Sequence, residues 1–267
     1  MLEGMRALDG QLAALLFLTT ACGGASGGQA SPVADDTLIP ASRFDDADTL
    51  VHATWKGGAL VDLRGNEWAK VGSPGVVPPV GGLPEGTSNL DGLNHWELGT
   101  GGSDVLDIGG FVGCVVLAPT ANDLATTTMV FSNGGSSGYE LVANELGLIS
   151  WINANRGIRT DNPLAAGVPN LVCFGADPSV AYGYLKVNRR AMLGPAAWGV
   201  IVPEPTVNMK IGTHWESLLG FEGKIYEIWI SRKSSVLYPG ASWGTGGVEA
   251  LFTSIQESVS AKVGDLP

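Results

Sequence analysis

Two apolar runs constrain this chain more than any other feature. The first is Phe111-Val112-Gly113-Cys114-Val115-Val116-Leu117-Ala118-Pro119; the second is Pro169-Asn170-Leu171-Val172-Cys173-Phe174-Gly175-Ala176-Asp177. Each has the length of a strand, is rich in Val, Leu or Phe, and is bounded by Gly or Pro. Each carries one cysteine near its middle. A cysteine centred in a strand either faces the core as a small hydrophobe or bridges to a neighbouring strand. Two such strands side by side bring the sulfurs within reach, because bridged Cα atoms lie about 4.4–6.8 Å apart.

The rest of the composition suits the same class. Charged residues make up 15% of the chain, glycines number 39 of 267, and hydrophobic residues reach 45%. Few charges and many glycines favour short strands joined by tight turns; long helices need more Glu, Lys, Leu and Ala. All-β sandwiches of this length form as single units. The net charge of -11 and pI near 4.6 repel phosphate backbones, so nucleic acid is excluded as a partner.

Strand patterns recur along the chain. They cover Leu50 to Trp55, Leu93 to Leu98, Val105 to Ile108, Thr126 to Ser132, Tyr139 to Val142 and Leu148 to Ile152. Asn133-Gly134-Gly135 is a hairpin signal, and Asn144-Glu145-Leu146-Gly147 joins the next pair. The Gly- and Pro-rich segment Val71 to Gly86 reads as a surface loop, since Pro cannot donate into a central ladder. Asp62 and Asn66 flank Gly65 and read as turn formers. Ile225, Glu227 and Trp229 alternate with Tyr226, Ile228 and Ile230, and both sets are largely apolar, as in a central strand lying between two layers. Near the end, Val248, Leu251, Phe252, Ile255 and Val259 fall at helical spacing, which predicts one helix docked on the sandwich.

The ordered set of motifs over roughly residues 45–235 resembles the laminin-G-like and pentraxin members of the concanavalin A-like superfamily. The carriers are the two cysteine strands, the Tyr184-Leu185-Lys186-Val187-Asn188-Arg189-Arg190 turn with Arg189 where Gly is usual, Val207 to Gly212, and Phe221-Glu222-Gly223-Lys224-Ile225 running on to Ile230. The resemblance implies an all-β, antiparallel β-sandwich of jelly-roll type, here with a C-terminal helix. It also implies a role in binding or adhesion rather than catalysis.

Residues 12–21 form an apolar run as long as the core of a signal peptide and too short to span a bilayer. The run ends Thr19-Thr20-Ala21-Cys22-Gly23-Gly24, which is similar to a bacterial lipoprotein cleavage box. Cys22 is then the expected lipidation site. Residues 23–48 read as a flexible tether, 49–235 as the sandwich and 236–267 as the C-terminal loop and helix. With Cys22 lipidated, Cys114 and Cys173 are left as one even pair in an oxidising compartment, and the disulfide reading is preferred over two buried thiols.

Catalytic signatures are sparse. The histidines at 52, 95 and 214 lie far apart and show no metal-ligand spacing. There is no Gly-x-Ser-x-Gly elbow and no phosphate loop. The paired-carboxylate run of sandwich glucanases is not present; Glu140 and Glu145 keep only its outer positions. Pentraxins bind calcium through several oxygen ligands. Here only Glu216 matches their acidic run, and Gly135-Ser136-Ser137 replaces an Asp-Asn pair. Calcium therefore finds an incomplete ligand set, and no metal or other cofactor is expected. Asn133, Asp177 and Glu216 are the polar ligand candidates; Trp215 and Trp243, in Gly-rich loops, are the aromatic ones, because pyranose faces stack on exposed rings.

The expected function is a non-enzymatic, extracytoplasmic domain that binds a surface glycan or a protein. It is lipid-anchored to the membrane and open to homo-oligomerisation. The alternatives are a decoration or adhesion module of a virion or other assembly, and a glycoside hydrolase.

Overall fold

The computed structural model describes residues 35–99, 110–133, 138–147, 149–153, 156–177, 182–197, 208–214, 216, 218–232 and 245–267. Sixteen strands and two helices fall within them: α1 (Ala41–Phe44), β1 (Thr49–Lys56), β2 (Ala59–Asp62), β3 (Trp68–Val71), β4 (Gly75–Val77), β5 (Gly86–Ser88), β6 (His95–Leu98), β7 (Phe111–Ala118), β8 (Thr128–Asn133), β9 (Tyr139–Ala143), β10 (Ile149–Asn153), β11 (Arg156–Arg159), β12 (Asn170–Asp177), β13 (Tyr182–Val187), β14 (Leu193–Ala197), β15 (Lys210–Ile211), β16 (Lys224–Ser231) and α2 (Thr245–Val263). The strands form two antiparallel sheets. The first runs β14-β13-β12-β7-β16-β1-β2, with β5 and β4 added beside β16; the second runs β11-β10-β9-β8-β15-β6-β3. The all-β sandwich with a C-terminal helix is the observed architecture.

The two cysteine strands are neighbours at the centre of the first sheet, and every residue of both is buried. Cys114 and Cys173 stand directly opposite each other, with Cα atoms 4.0 Å apart, and are joined by a disulfide. Two apolar clusters explain why both faces of these strands are hydrophobic. Val115, Leu117, Val172 and Phe174 point between the sheets and meet Phe131, Leu141 and Ile211 of the second sheet. Val112, Cys114, Val116, Leu171 and Cys173 point outward, where Val248, Phe252, Ile255 and Val259 of α2 cover them. The helical stripe expected from sequence is this docking face. The helix ends at Gly264, whose φ of 84° is a left-handed conformation that glycine adopts without a Cβ clash.

Three local expectations are corrected. Residues 35–48, read as the last part of a tether, pack on the outer face of the first sheet, and Leu38 and Ile39 are fully buried there. Segment 71–86 is not merely a loop: β4 and β5 pair as a short hairpin, and β5 joins β16. The simple alternation along β16 is broken by a bulge between Ile225 and Glu227. Ile225, Ile228 and Ile230 face the sandwich interior, while Tyr226 and Trp229 face the helix layer.

The bulge places Glu227 on the outer face beside His52 of β1, which opposes Trp229. Glu227 and His52 are both fully buried, and His52 Nε2 lies 3.1 Å from Glu227 Oε1. His52 Nδ1 lies 2.8 Å from Asp45 Oδ1, which also accepts from the Trp229 indole at 3.1 Å. The backbone N–H groups of Leu38 and Ile39 donate to the two Glu227 oxygens at 2.6 and 2.7 Å. Burial alone would drive the imidazole neutral. The hydrogen bonds to Asp45 and Glu227, reinforced by their charges, outweigh it and raise the His52 pKa to about 9. A buried imidazolium with two carboxylates thus pins segment 35–48 to the sheet.

Candidate functional site

The helices and segment 35–48 occupy the outer face of the first sheet. The outer face of the second sheet carries neither helix among the described residues, and its register lines up polar groups. On β9, Tyr139 and Leu141 enter the core, so Glu140 between them faces out. Opposite Glu140 stands Ser132 of β8; opposite Ser132, Lys210 of β15; opposite Lys210, Glu97 of β6. Directly paired positions share one face of a sheet, so these four residues form a row across four strands.

The segment after β15 folds back to this row. Ser132 Oγ donates to Thr213 O at 3.1 Å, which brings His214 over Glu140. His214 Nε2 lies 3.3 Å from Glu140 Oε1, and Nδ1 lies 3.9 Å from Glu216 Oε2. Nδ1 also accepts the Glu216 backbone N–H at 3.3 Å. That bond places the ring proton on Nε2, aimed at Glu140. Burial pushes the Glu140 carboxyl up to about 7. Burial likewise lowers the His214 pKa, helped by the Lys210 charge and opposed by Glu216. The side chains are only 17% and 18% exposed. Nearby, Asn208 Nδ2 donates to Glu97 Oε1 at 3.1 Å, and His95 Nε2 lies 3.7 Å from Glu97 Oε2. Ser132 is fully buried and committed to Thr213 O, so the groups left to this face are the carboxyls of Glu97, Glu140 and Glu216, the His214 imidazole, the Lys210 ammonium and the Asn208 amide. Such a set exchanges hydrogen bonds with a hydroxyl-rich or polar partner.

Of the residues singled out from sequence, Glu216 belongs to this face and is half-exposed. Asn133 ends β8 on the interior side, opposite Tyr139, and is buried. Asp177 ends β12 in the other sheet, opposite Tyr182, and is buried. The three stand on different faces and do not converge on one ligand. Among the described residues no group of three or more His, Cys, Asp or Glu side chains is placed to hold a metal ion. Cys22, Trp215 and Trp243 lie outside the described residues. Sequence reasoning missed Glu140, His214 and Lys210 as partners. The available signal was Glu140, the one charged position inside the otherwise apolar run Tyr139 to Ala143.

A cleft of about 160 Å³ opens beside β13 and β14, between Thr160, Asp161, Leu185 and Arg190. The Arg190 guanidinium donates there to the carbonyls of Asn162 and Pro163 at 2.7 and 3.0 Å.

No protein-family model matches the chain. No curated protein matches it in sequence. Solved structures do match in fold. The binding domain of Paraclostridial Mosquitocidal Protein 1 aligns with TM-score 0.54 at 11% identity, covering 78% of this chain and 52% of that one. The binding domain of botulinum neurotoxin DC in complex with rat synaptotagmin II gives 0.53 at 10% identity, with 78% and 52% covered. The same toxin's binding domain in complex with SialylT gives 0.53 at 11%, with the same coverage. The chain spans about half the length of these solved chains. At such identity the likeness is one of fold, and it establishes the β-sandwich.

Proposed function

We propose that this chain is a non-enzymatic binding domain that takes a glycan or a protein on the outer face of its second sheet. The observation that carries the reading is the row Glu97, Lys210, Ser132 and Glu140, with His214 folded over it, on the sheet that bears neither helix. The fold likeness to toxin binding domains supports a gripping role, as does the resemblance to laminin-G-like and pentraxin sandwiches. We further read the domain as exported and held at a cell surface by lipid on Cys22. The Cys114–Cys173 disulfide supports an oxidising compartment.

Two experiments test these parts separately. A glycan array and an array of cell-surface proteins, probed with and without calcium, should give ligands whose binding falls at least tenfold in Glu140→Gln and Lys210→Ser. Binding that survives both substitutions but is lost in Trp215→Ala or Trp243→Ala moves the site off this face. Intact-mass analysis of the N-terminus tests the anchor: a diacylated Cys22 supports it, and a retained Met1 or Met5 favours an assembly module instead.

A further inference from the structure

Single exposed aliphatic side chains are ordinary on a protein surface; several on adjoining loops at one end are not. At the end where β7 and β13 finish and β6, β12 and β16 begin, five loop residues are exposed: Leu93 at 78%, Leu146 at 61%, Leu218 at 57%, Leu219 at 46% and Val168 at 37%. Their loops are tied side by side. A Cβ at Gly220 would fall 2.3 Å from Asp91 Cα, so loops 89–94 and 212–221 are in backbone contact. Met129 N donates to Leu219 O at 2.8 Å, Leu164 N to Gly147 O at 2.9 Å, and Gly167 N to Pro119 O at 2.7 Å. Leu219 also sits at φ 56°, a left-handed conformation that is costly for a leucine. The loop thus holds an apolar side chain in water where Gly or Asn would turn more easily.

The point at which residues 1–34 join the domain lies at the same end. Lys262 Nζ, in the last turn of α2, donates to Asp35 O at 2.7 Å. Asp265, just beyond that helix, pairs with Arg189 in the turn after β13. Asp35, where the described chain begins, therefore lies at this end, and twelve residues of sequence separate it from Cys22. We propose that this end of the sandwich rests on a bilayer of neutral phospholipid, with the five aliphatic tips in the headgroup region. The proposal rests on the reading that the N-terminal residues anchor the chain. Membrane attachment of this kind scales with the apolar area buried and with the charge match to the lipid. Asp91, Glu145 and Glu216 share these loops, and the net charge is -11, so neutral headgroups fit and anionic ones do not.

The test uses the full chain with phosphatidylcholine vesicles, reading sedimentation and amide hydrogen exchange together. The expected result is co-sedimentation, with amides of 91–94, 144–147 and 216–220 exchanging at least tenfold more slowly than without lipid. The turn at 63–66, at the opposite end, should be unchanged. In the quadruple variant Leu93→Ser, Leu146→Ser, Leu218→Ser, Leu219→Asn, the slowing should disappear while sedimentation through the anchor persists. Adding phosphatidylserine should weaken the slowing at low salt. Sedimentation with unslowed loops overturns the docking and leaves the anchor standing. No sedimentation overturns both. Slowing that appears without lipid and grows with protein concentration overturns the proposal in favour of a second copy of the chain.

Discussion

His52 Nε2 and Glu227 Oε1 lie 3.1 Å apart with neither side chain reaching solvent. The His52 pKa is raised from 6.5 to about 9 in the folded chain, so the stabilisation it brings is complete below pH 6.5 and is lost as pH rises through 9. Thermal unfolding between pH 6 and 10 should show the midpoint falling across that window, by an amount equivalent to about 3 kcal/mol. The His52→Gln variant should be less stable at pH 6 and show a flatter profile. A wild-type profile with no decline above pH 7 would contradict the charged state assigned here.

Glu227→Gln leaves the imidazolium with one carboxylate partner and removes one of the two acceptors for Leu38 and Ile39. Breaking one side of a buried pair costs about 3–5 kcal/mol. The loss should be concentrated in segment 35–48, so limited proteolysis should cut there first while the sandwich strands stay protected.

Glu140 behaves in the opposite sense. Its carboxyl is raised from 4.5 to about 7 because burial disfavours the charge, so ionising it destabilises the fold as pH rises through that interval. The Glu140→Gln variant should match wild type near pH 4.5 and be more stable than wild type at pH 8. Equal denaturant midpoints at both values would remove Glu140 as a perturbed group.

The disulfide closes a loop with a sequence separation of 59. Its removal should cost about 4 kcal/mol in the loop-entropy account. Equilibrium urea unfolding of the Cys114→Ala, Cys173→Ala double variant checks this. Because the sulfurs lie beneath α2 in the outer cluster, a reductant should act slowly on the native chain and quickly in denaturant.

Gly113 opposes Phe174, and a Cβ there would lie 2.6 Å from Phe174 Cζ. The aromatic ring uses the space that the glycine leaves. Gly113→Ala should force that ring off its packing against Phe131 and cost about 1–3 kcal/mol, measurable as a lower thermal midpoint.

Much of this fold was legible in the sequence, for a physical reason. Runs apolar on both faces, such as Phe111 to Ala118 and Lys224 to Ser231, require cover on both sides, and the structure supplies the second sheet on one side and α2 on the other. The cysteines were readable because they occupy equivalent places in two such runs. Other features were hidden because they depend on register. A bulge at Tyr226 turns Glu227 toward His52, 175 residues away in sequence, and no local pattern announces it. Leu38 and Ile39 stood in a polar, Asp-rich segment whose composition suggested a linker; their N–H groups find acceptors only after Glu227 is in place. The Glu140–His214 contact likewise arises from the pairing of β8 with both β9 and β15. Trp215 and Trp243, chosen for their place in Gly-rich loops, lie outside the described residues.

Among the described residues both helices lie on one sheet only, and this has an evolutionary consequence. Strands β7, β12 and β16 are packed on both sides, so nearly every exchange there must preserve volume and shape. On β6, β9 and β15 the outward positions Glu97, Glu140 and Lys210 are only partly buried. Those three positions tolerate exchange more readily, so new recognition preferences can arise there while the disulfide-linked half of the molecule stays unaltered.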